Sequence, residues 1–363
     1  LGDSKMRKKI VGMLTTATLL TMALAGNVQA AEIRSVGPDG EAAVDASTIE
    51  LTDDQIAQIK EGGYTAAICL HYGGNDWSTS QQKGLEDTFG ELGIEIVAVT
   101  DANFSAETQV SNIETVMAKK PDILVSIPTD ATATADAYKQ AAAAGIKIVF
   151  MDQRANGLEA GKDYVSVVSA DNYGNGYASG TVLGDALGGK GKVAMVYYDA
   201  NFAPTNQRDE GFRDAMKNYP DIEIVTEQGF TDESGCAEQG DAILTQFPNI
   251  DGIYASWDVP MEGVLSAVRA AGMEGKVTLA CNDLGNNVAR EIASGNIAGG
   301  GAQMPYDQGV AEAKLAALAL LGEETPSYVA VPAETVTHEN VLEAYTDVYH
   351  VETPDWLKEA YVE

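Results

Sequence analysis

Cysteine, histidine and tryptophan occur only three times each in this chain of 363 residues, and cationic side chains are scarce. There are 23 lysines and arginines against 54 aspartates and glutamates, a formal charge of −31. Three cysteines leave at least one unpaired and show no ligand spacing, which excludes a disulfide scaffold and a cysteine-bound metal centre. The shortage of positive charge excludes a nucleic-acid reader and disfavours an anionic membrane, because both depend on cationic contacts with phosphate. The histidines, His71, His338 and His350, build no metal motif or catalytic triad. No Gly-x-Ser-x-Gly, His-Glu-x-x-His, calcium-loop or dinucleotide glycine pattern occurs either. The stretch 184–191 approximates a phosphate loop but lacks Ser or Thr after Lys190. It also falls between a helix and a strand, the reverse of what a phosphate cradle at a helix N-terminus needs. No cofactor and no metal is expected.

What is present is a soluble globular composition, 45% apolar and 21% charged, in a length that suggests two lobes. One long apolar run, from Ile10 to about Ala25, follows the basic stretch Met6-Arg7-Lys8-Lys9 and precedes Val28-Gln29-Ala30-Ala31. That order is the layout of a secretory signal peptide, and four threonines interrupt a run shorter than the ~20 residues a membrane helix needs. Residues 1–30 are expected to be a cleaved leader that exports the rest of the chain. The remainder is more acidic still. No cysteine follows the run, so no lipid anchor is encoded.

Beyond a polar lead-in, Thr52-Asp53-Asp54-Gln55 reads as a capping box opening a short helix that Gly62-Gly63 ends. Strand-like runs rich in branched residues then alternate with amphipathic segments of helix length. The runs lie at 64–71, 94–99, 122–127, 146–151 and 164–168. A second set lies at 193–198, 222–226, 252–256, 277–281 and 297–303, with a further strand at 328–336. Such alternation predicts an α/β fold of two similar doubly wound parallel-sheet lobes.

In open parallel sheets ligands bind beyond the carboxyl ends of the strands. The residues there include His71-Tyr72, Asn75, Trp77, Asp101 to Phe104, Asp152-Gln153-Arg154, Asp199 to Phe202, Arg208, Trp257-Asp258, Asn282-Asp283 and Gln303. They are carboxylates, amides, arginines and aromatics, with no nucleophile paired to a base. Asp and Asn engage pairs of hydroxyls, Arg forks onto two oxygens, and aromatic faces pack on C–H groups. That inventory fits a neutral polyhydroxylated ligand. His71 at a strand terminus reads as a wall of such a site rather than a base.

The chain resembles the ribose-binding-protein-like, type I periplasmic binding proteins of sugar ABC transporters. The resemblance runs from about Tyr64 to Ala344. It rests on Ile148-Val-Phe-Met-Asp152-Gln-Arg154, the Ser-Val-Val-Ser-Ala-Asp-Asn-Tyr-Gly-Asn-Gly stretch from Ser166, Arg208-Asp-Glu-Gly-Phe212, Trp257-Asp258, Cys281-Asn-Asp283 and Ala302-Gln303-Met-Pro. It implies two lobes joined by a multi-strand hinge. The N-lobe is expected from 63–168 plus 304–328 and the C-lobe from 169–303 plus 329–344. A 31–62 extension precedes them, and 345–363 forms a C-terminal tail. Carried over residue by residue, the family's ligand contacts fall on Asn75, Trp77, Asp152, Arg154, Arg208, Asp283 and Gln303. Gln153 intervenes where Asp and Arg are often adjacent, so Gln153 or Arg154 supplies the fork, and Trp257 stands where an amide often does.

The implied function is capture of a neutral sugar or polyol by closure of a monomer, with no enzymatic step. The closed form would then be delivered to an ABC permease or read by a chemoreceptor. The competing readings are an exported carbohydrate hydrolase using Asp152 and Asp283 as paired carboxylates, and a receptor for a furanose-type signal.

Overall fold

The computed structural model describes residues 32–362. The leader expected at 1–30 lies outside them. The chain opens with β1 (Val44–Asp45) and α1 (Asp53–Gly62), then runs β2 (Thr65–Leu70), α2 (Asp76–Glu91), β3 (Glu95–Asp101), α3 (Ala106–Ala118), β4 (Ile123–Ser126), α4 (Ala135–Ala143), β5 (Lys147–Met151) and β6 (Ser166–Ala170). It crosses to a second sheet through α5 (Asn172–Ala186), β7 (Lys190–Tyr198), α6 (Ala203–Met216), β8 (Asp221–Phe230), α7 (Cys236–Gln246), β9 (Gly252–Ala255), α8 (Asp258–Ala270), β10 (Thr278–Cys281), α9 (Asn286–Ala293) and β11 (Gly299–Ala302). It returns through α10 (Pro305–Leu320) and β12 (Tyr328–Val331), then crosses a third time into β13 (Glu334–Thr337), α11 (Val341–Tyr349) and α12 (Asp355–Ala360).

The first sheet has the order β1-β12-β6-β5-β4-β2-β3 and the second β13-β11-β10-β9-β7-β8. Strands β4, β9 and β12 are buried along their whole length, as parallel strands covered by helices on both faces must be. Each sheet separates two apolar clusters. The capping box forms at α1 as its sequence demands, with Thr52 Oγ1 accepting from Gln55 N and Gln55 Oε1 accepting from Thr52 N.

Four features differ from expectation. The strand expected at 328–336 is two strands in different sheets, broken at Pro332, whose missing N–H ends the ladder. β13 pairs antiparallel with β11, so the second sheet is mixed at that edge. The first sheet takes in residues as far as Ala170 and Val331, beyond the lobe boundaries drawn at 168 and 328. The terminal segments are integrated. Before β1, Arg34 N, Ser35 N and Ser35 Oγ all donate to the buried Asp171 carboxylate at the first crossing. β1 itself pairs with β12. The C-terminal stretch forms α11 and α12, which bury Val348 and Leu357 in the second lobe's core.

Both lobes brace the helix that enters from a crossing with the same device. In the first, a Cβ on Gly84 of α2 would lie 2.2 Å from Tyr306 O, and one on Gly309 of α10 2.3 Å from Gln81 O. In the second, Gly176 of α5 and Gly211 of α6 stand in the same reciprocal relation to Arg208 O, 1.8 Å, and Tyr173 O, 2.1 Å. Adding a methyl there forces the helices apart. Gly309→Ala and Gly176→Ala are each expected to lower stability by about 1–3 kcal/mol despite alanine's better helix propensity. Thermal or urea denaturation of each variant against wild type checks this.

Candidate functional site

Two aspartates occupy corresponding places in the two sheets. Asp152 follows β5 and Asp283 follows β10, and both take left-handed backbone angles, φ 52° and 70°. Asp is one of the few non-glycine residues that tolerates this region. Each donates its backbone N–H to the neighbouring crossover strand, Asp152 to Val168 O and Asp283 to Gly301 O, both at 2.8 Å. The turn away from the strand aims both carboxylates into the cleft between the lobes.

Between them lies Arg208 of α6, 5% exposed. Its Nε donates to Asn172 Oδ1 at 2.9 Å, and its Nη1 to Ser256 O at 3.3 Å and Asp283 Oδ2 at 3.2 Å. Gln303 Nε2 donates to the other Asp283 oxygen at 2.7 Å, and Gln303 Oε1 accepts from Trp77 Nε1 at 3.2 Å. Asp152 Oδ1 accepts from Ser169 Oγ, Ala170 N and Asn172 Nδ2. Burial pushes the Asp152 carboxyl above its usual range, and the Arg208 charge opposes that shift. Asp258, at the first turn of α8, is raised well above the usual range by burial and by the neighbouring Asp283 charge.

Aromatic rings form the walls. His71 stacks on Phe202 of the other lobe at 5.4 Å, and Tyr72 stacks on Phe104 at 4.4 Å. Trp77, Tyr198 and Trp257 complete the lining. Burial pushes the His71 imidazole down to about 3, so it is neutral, and its Nδ1 has no partner. Trp257 Nε1 is taken by Glu233 Oε1 at 2.9 Å, and Tyr72 Oη donates to the same carboxylate from the opposite lobe at 3.2 Å. The cavity left between these walls is small, about 60 Å³.

The structure therefore brings together Asn75, Trp77, Asp152, Arg208, Trp257, Asp283 and Gln303. It does not bring Gln153 or Arg154 to them. After the left-handed turn at Asp152 the chain leads away, and the Arg154 guanidinium pairs with both Asp39 oxygens and with Leu158 O. Gln153 is buried behind the cleft, donating to Pro128 O and accepting from Ala203 N. Neither supplies a fork. Asp258, named among the strand-end residues but not among the expected contacts, lines the cleft, as do Tyr198 and Thr205, which were not singled out. Tyr198 ends a strand, the one positional signal it carried. Cys69, Cys236 and Cys281 are all free and buried. Among the described residues no cluster of three or more His, Cys, Asp or Glu could hold a metal ion.

The family model for the periplasmic binding protein domain matches residues 66–324. The chain belongs to the periplasmic binding protein family. Over 213 residues it is 27% identical to the ribose import binding protein RbsB of Bacillus subtilis, covering 58% of this chain and 67% of that one. Over 273 residues it is 29% identical to the D-ribose/D-allose-binding protein of Pseudomonas aeruginosa, covering 72% and 83%. Among solved structures, an ABC transporter periplasmic solute binding protein from Actinobacillus succinogenes with bound D-allose aligns with a TM-score of 0.71 at 29% identity. The alignment covers 77% of this chain and 99% of that one. A solute binding protein from Agrobacterium vitis bound with α-D-tagatopyranose aligns at 0.74 and 25% identity, covering 80% and 100%. The two α/β lobes are those of a type I periplasmic binding protein, and the cleft lies where such folds bind their solutes.

The His71 wall carries a pH signature. Its folded pKa, about 3, lies below the ordinary 6.5, so the unfolded chain takes up the proton first. Its contribution is complete above pH 6.5 and is lost as pH falls toward the folded value, by up to about 1.4 kcal/mol per pH unit. His71→Phe, which preserves the stack on Phe202, should show a shallower loss of stability than wild type as pH falls from 6.5. Parallel urea titrations of the two proteins check the difference.

Proposed function

We propose that the chain is the extracytoplasmic solute-binding component of an ABC importer. It captures a neutral sugar or polyol between its lobes and presents the closed form to a membrane permease. The observation that carries this reading is the pair of opposed aspartates, Asp152 and Asp283, around the single buried guanidinium of Arg208, walled by aromatic rings. Carboxylate and guanidinium edges engage hydroxyls in pairs, and the rings pack on the C–H faces of a sugar. The ligands named for the allose- and tagatose-bound relatives support the same class.

The protein acts as a monomer outside the cytoplasmic membrane, delivered there by the leader at residues 1–30. Among the described residues no helix is long and apolar enough to cross a membrane. Its role is binding rather than catalysis. Both Asp283 oxygens are already engaged, by Arg208 and Gln303. A chemoreceptor reading the closed form would use surfaces of both lobes, as the permease does.

A thermal-shift screen over D-ribose, D-allose, D-xylose, D-tagatose and myo-inositol should single out compounds that raise the melting temperature, because binding to the native state alone is stabilising. Calorimetry on a compound so found should show Asp283→Ala losing about 1.5–3 kcal/mol, roughly 10- to 150-fold in Kd. Arg154→Ala should bind as wild type does. Recovery of chemically changed sugar after long incubation would overturn the transport reading, as would wild-type affinity in Asp283→Ala.

A further inference from the structure

Two helices of the second lobe begin at the cleft without a cap of their own. The N-cap residues are Phe202 for α6 and Gly285 for α9, and neither makes a side-chain cap bond. In each case a residue of the first lobe supplies the missing acceptor. Gln153 Oε1 accepts from Ala203 N, the first N–H of α6, at 3.1 Å. Asp76 Oδ2 accepts from Asn286 N, the first N–H of α9, at 2.8 Å, and its Oδ1 accepts from Asn286 Nδ2 at 2.9 Å. The Asn286 amide is turned toward Asp76 from behind, because Tyr345 Oη of α11 donates to Asn286 Oδ1 at 2.5 Å. Neither Asp76 nor Gln153 lines the ligand cavity.

The first turn of a helix leaves its N–H groups without intrahelical partners, and a side-chain acceptor there is stabilising. Here that acceptor is present only while the lobes are together. Opening the cleft parts Asp76 from Asn286 and Gln153 from Ala203, and the helix ends revert to water.

We propose that Asp76 and Gln153 are positioning residues that hold the cleft closed by capping helices of the opposite lobe, with Tyr345 of the C-terminal helix aligning one of the two caps. The proposal rests on the capture reading for its purpose, since a closed-state clasp sets how long a bound solute stays. The bonds themselves require no ligand. Loss of one cap corresponds to roughly a 2- to 30-fold shift in the ratio of closed to open molecules.

The test uses the full chain carrying spin labels at Glu114→Cys on α3 and Asp241→Cys on α7, one exposed position in each lobe. The three native cysteines are buried. Pulsed electron–electron distance measurements without ligand should show a short, closed component in the otherwise wild-type protein. Asp76→Ala and Gln153→Met, which remove the acceptors outright, should each reduce it by that factor. Tyr345→Phe should reduce it in the wild-type background and do nothing further in Asp76→Ala, a non-additivity that general loosening of the tail would not produce. A labelled protein without the short component overturns the proposal. So does an unchanged proportion in Asp76→Ala, or a Tyr345→Phe effect of equal size in both backgrounds. With a sugar identified by the thermal screen, the same variants should release it faster while association is unchanged. If no sugar binds, the capture reading fails while the distance measurement still decides the clasp.

Discussion

A single guanidinium ties the binding cleft to the frame that holds it. Arg208 stands almost wholly out of water, where an unpaired charge would be prohibitively costly. Its partners come from three separate places: Asn172 just past the first crossing, the carbonyl of Ser256 past β9, and Asp283 past β10. Each partner is held in turn, Asn172 beside Asp152 and Asp283 beside Gln303 at the second crossing. Satisfying one buried cation thus fixes the positions of both cleft aspartates relative to two of the three connecting segments. The arrangement is also close to closed on itself, so a solute entering the cleft exchanges bonds with groups that already have partners. Affinity then depends on how well the ligand replaces those bonds, not on filling empty valences.

The two lobes repeat one another in particulars as well as in outline. The left-handed aspartates, their backbone bonds to the crossover strand, and the reciprocal glycine contacts of α2 with α10 and α5 with α6 recur at corresponding points. Helices whose backbones touch have little room to slide. Relative motion is therefore concentrated in the three crossings, near Asp171, Gln303 and Pro332, and each lobe moves as a body. That is the mechanical condition for a cleft that opens and shuts about a hinge.

Much of this was legible in the sequence because the strand-helix alternation is regular and the chemistry sits at strand ends. Asp152, Asp283 and Gln303 stand where that rule points and Arg208 in the helix beyond one strand end, and the family resemblance picked them out of the longer strand-end set. Gln153 and Arg154 satisfied the same rule and are not in the cleft, because the rule gives a neighbourhood and not a direction. The left-handed turn at Asp152 sends the next two side chains elsewhere, and nothing local announces it. Trp257 was legible as a wall, but its N–H belongs to Glu233, a partner fixed by tertiary packing. The strand break at Pro332 carried a plain signal in the proline itself. The terminal segments were opaque for a different reason: their partners, Asp171 for one and α9 for the other, lie more than a hundred and some sixty residues away.

The order of the first sheet has a consequence for the birth of the molecule. β1 pairs only with β12, and β12 alone joins β1 to β6. Among the described residues β1 has no strand partner until residues 328–331 are made, and α10, which covers the same sheet, emerges scarcely earlier. The second lobe up to β11 is contiguous in sequence and can assemble first, while the amino-terminal lobe must wait for almost the whole polypeptide. Contacts so distant in sequence are slow to form. The nascent chain consequently spends its synthesis without a finished amino-terminal half.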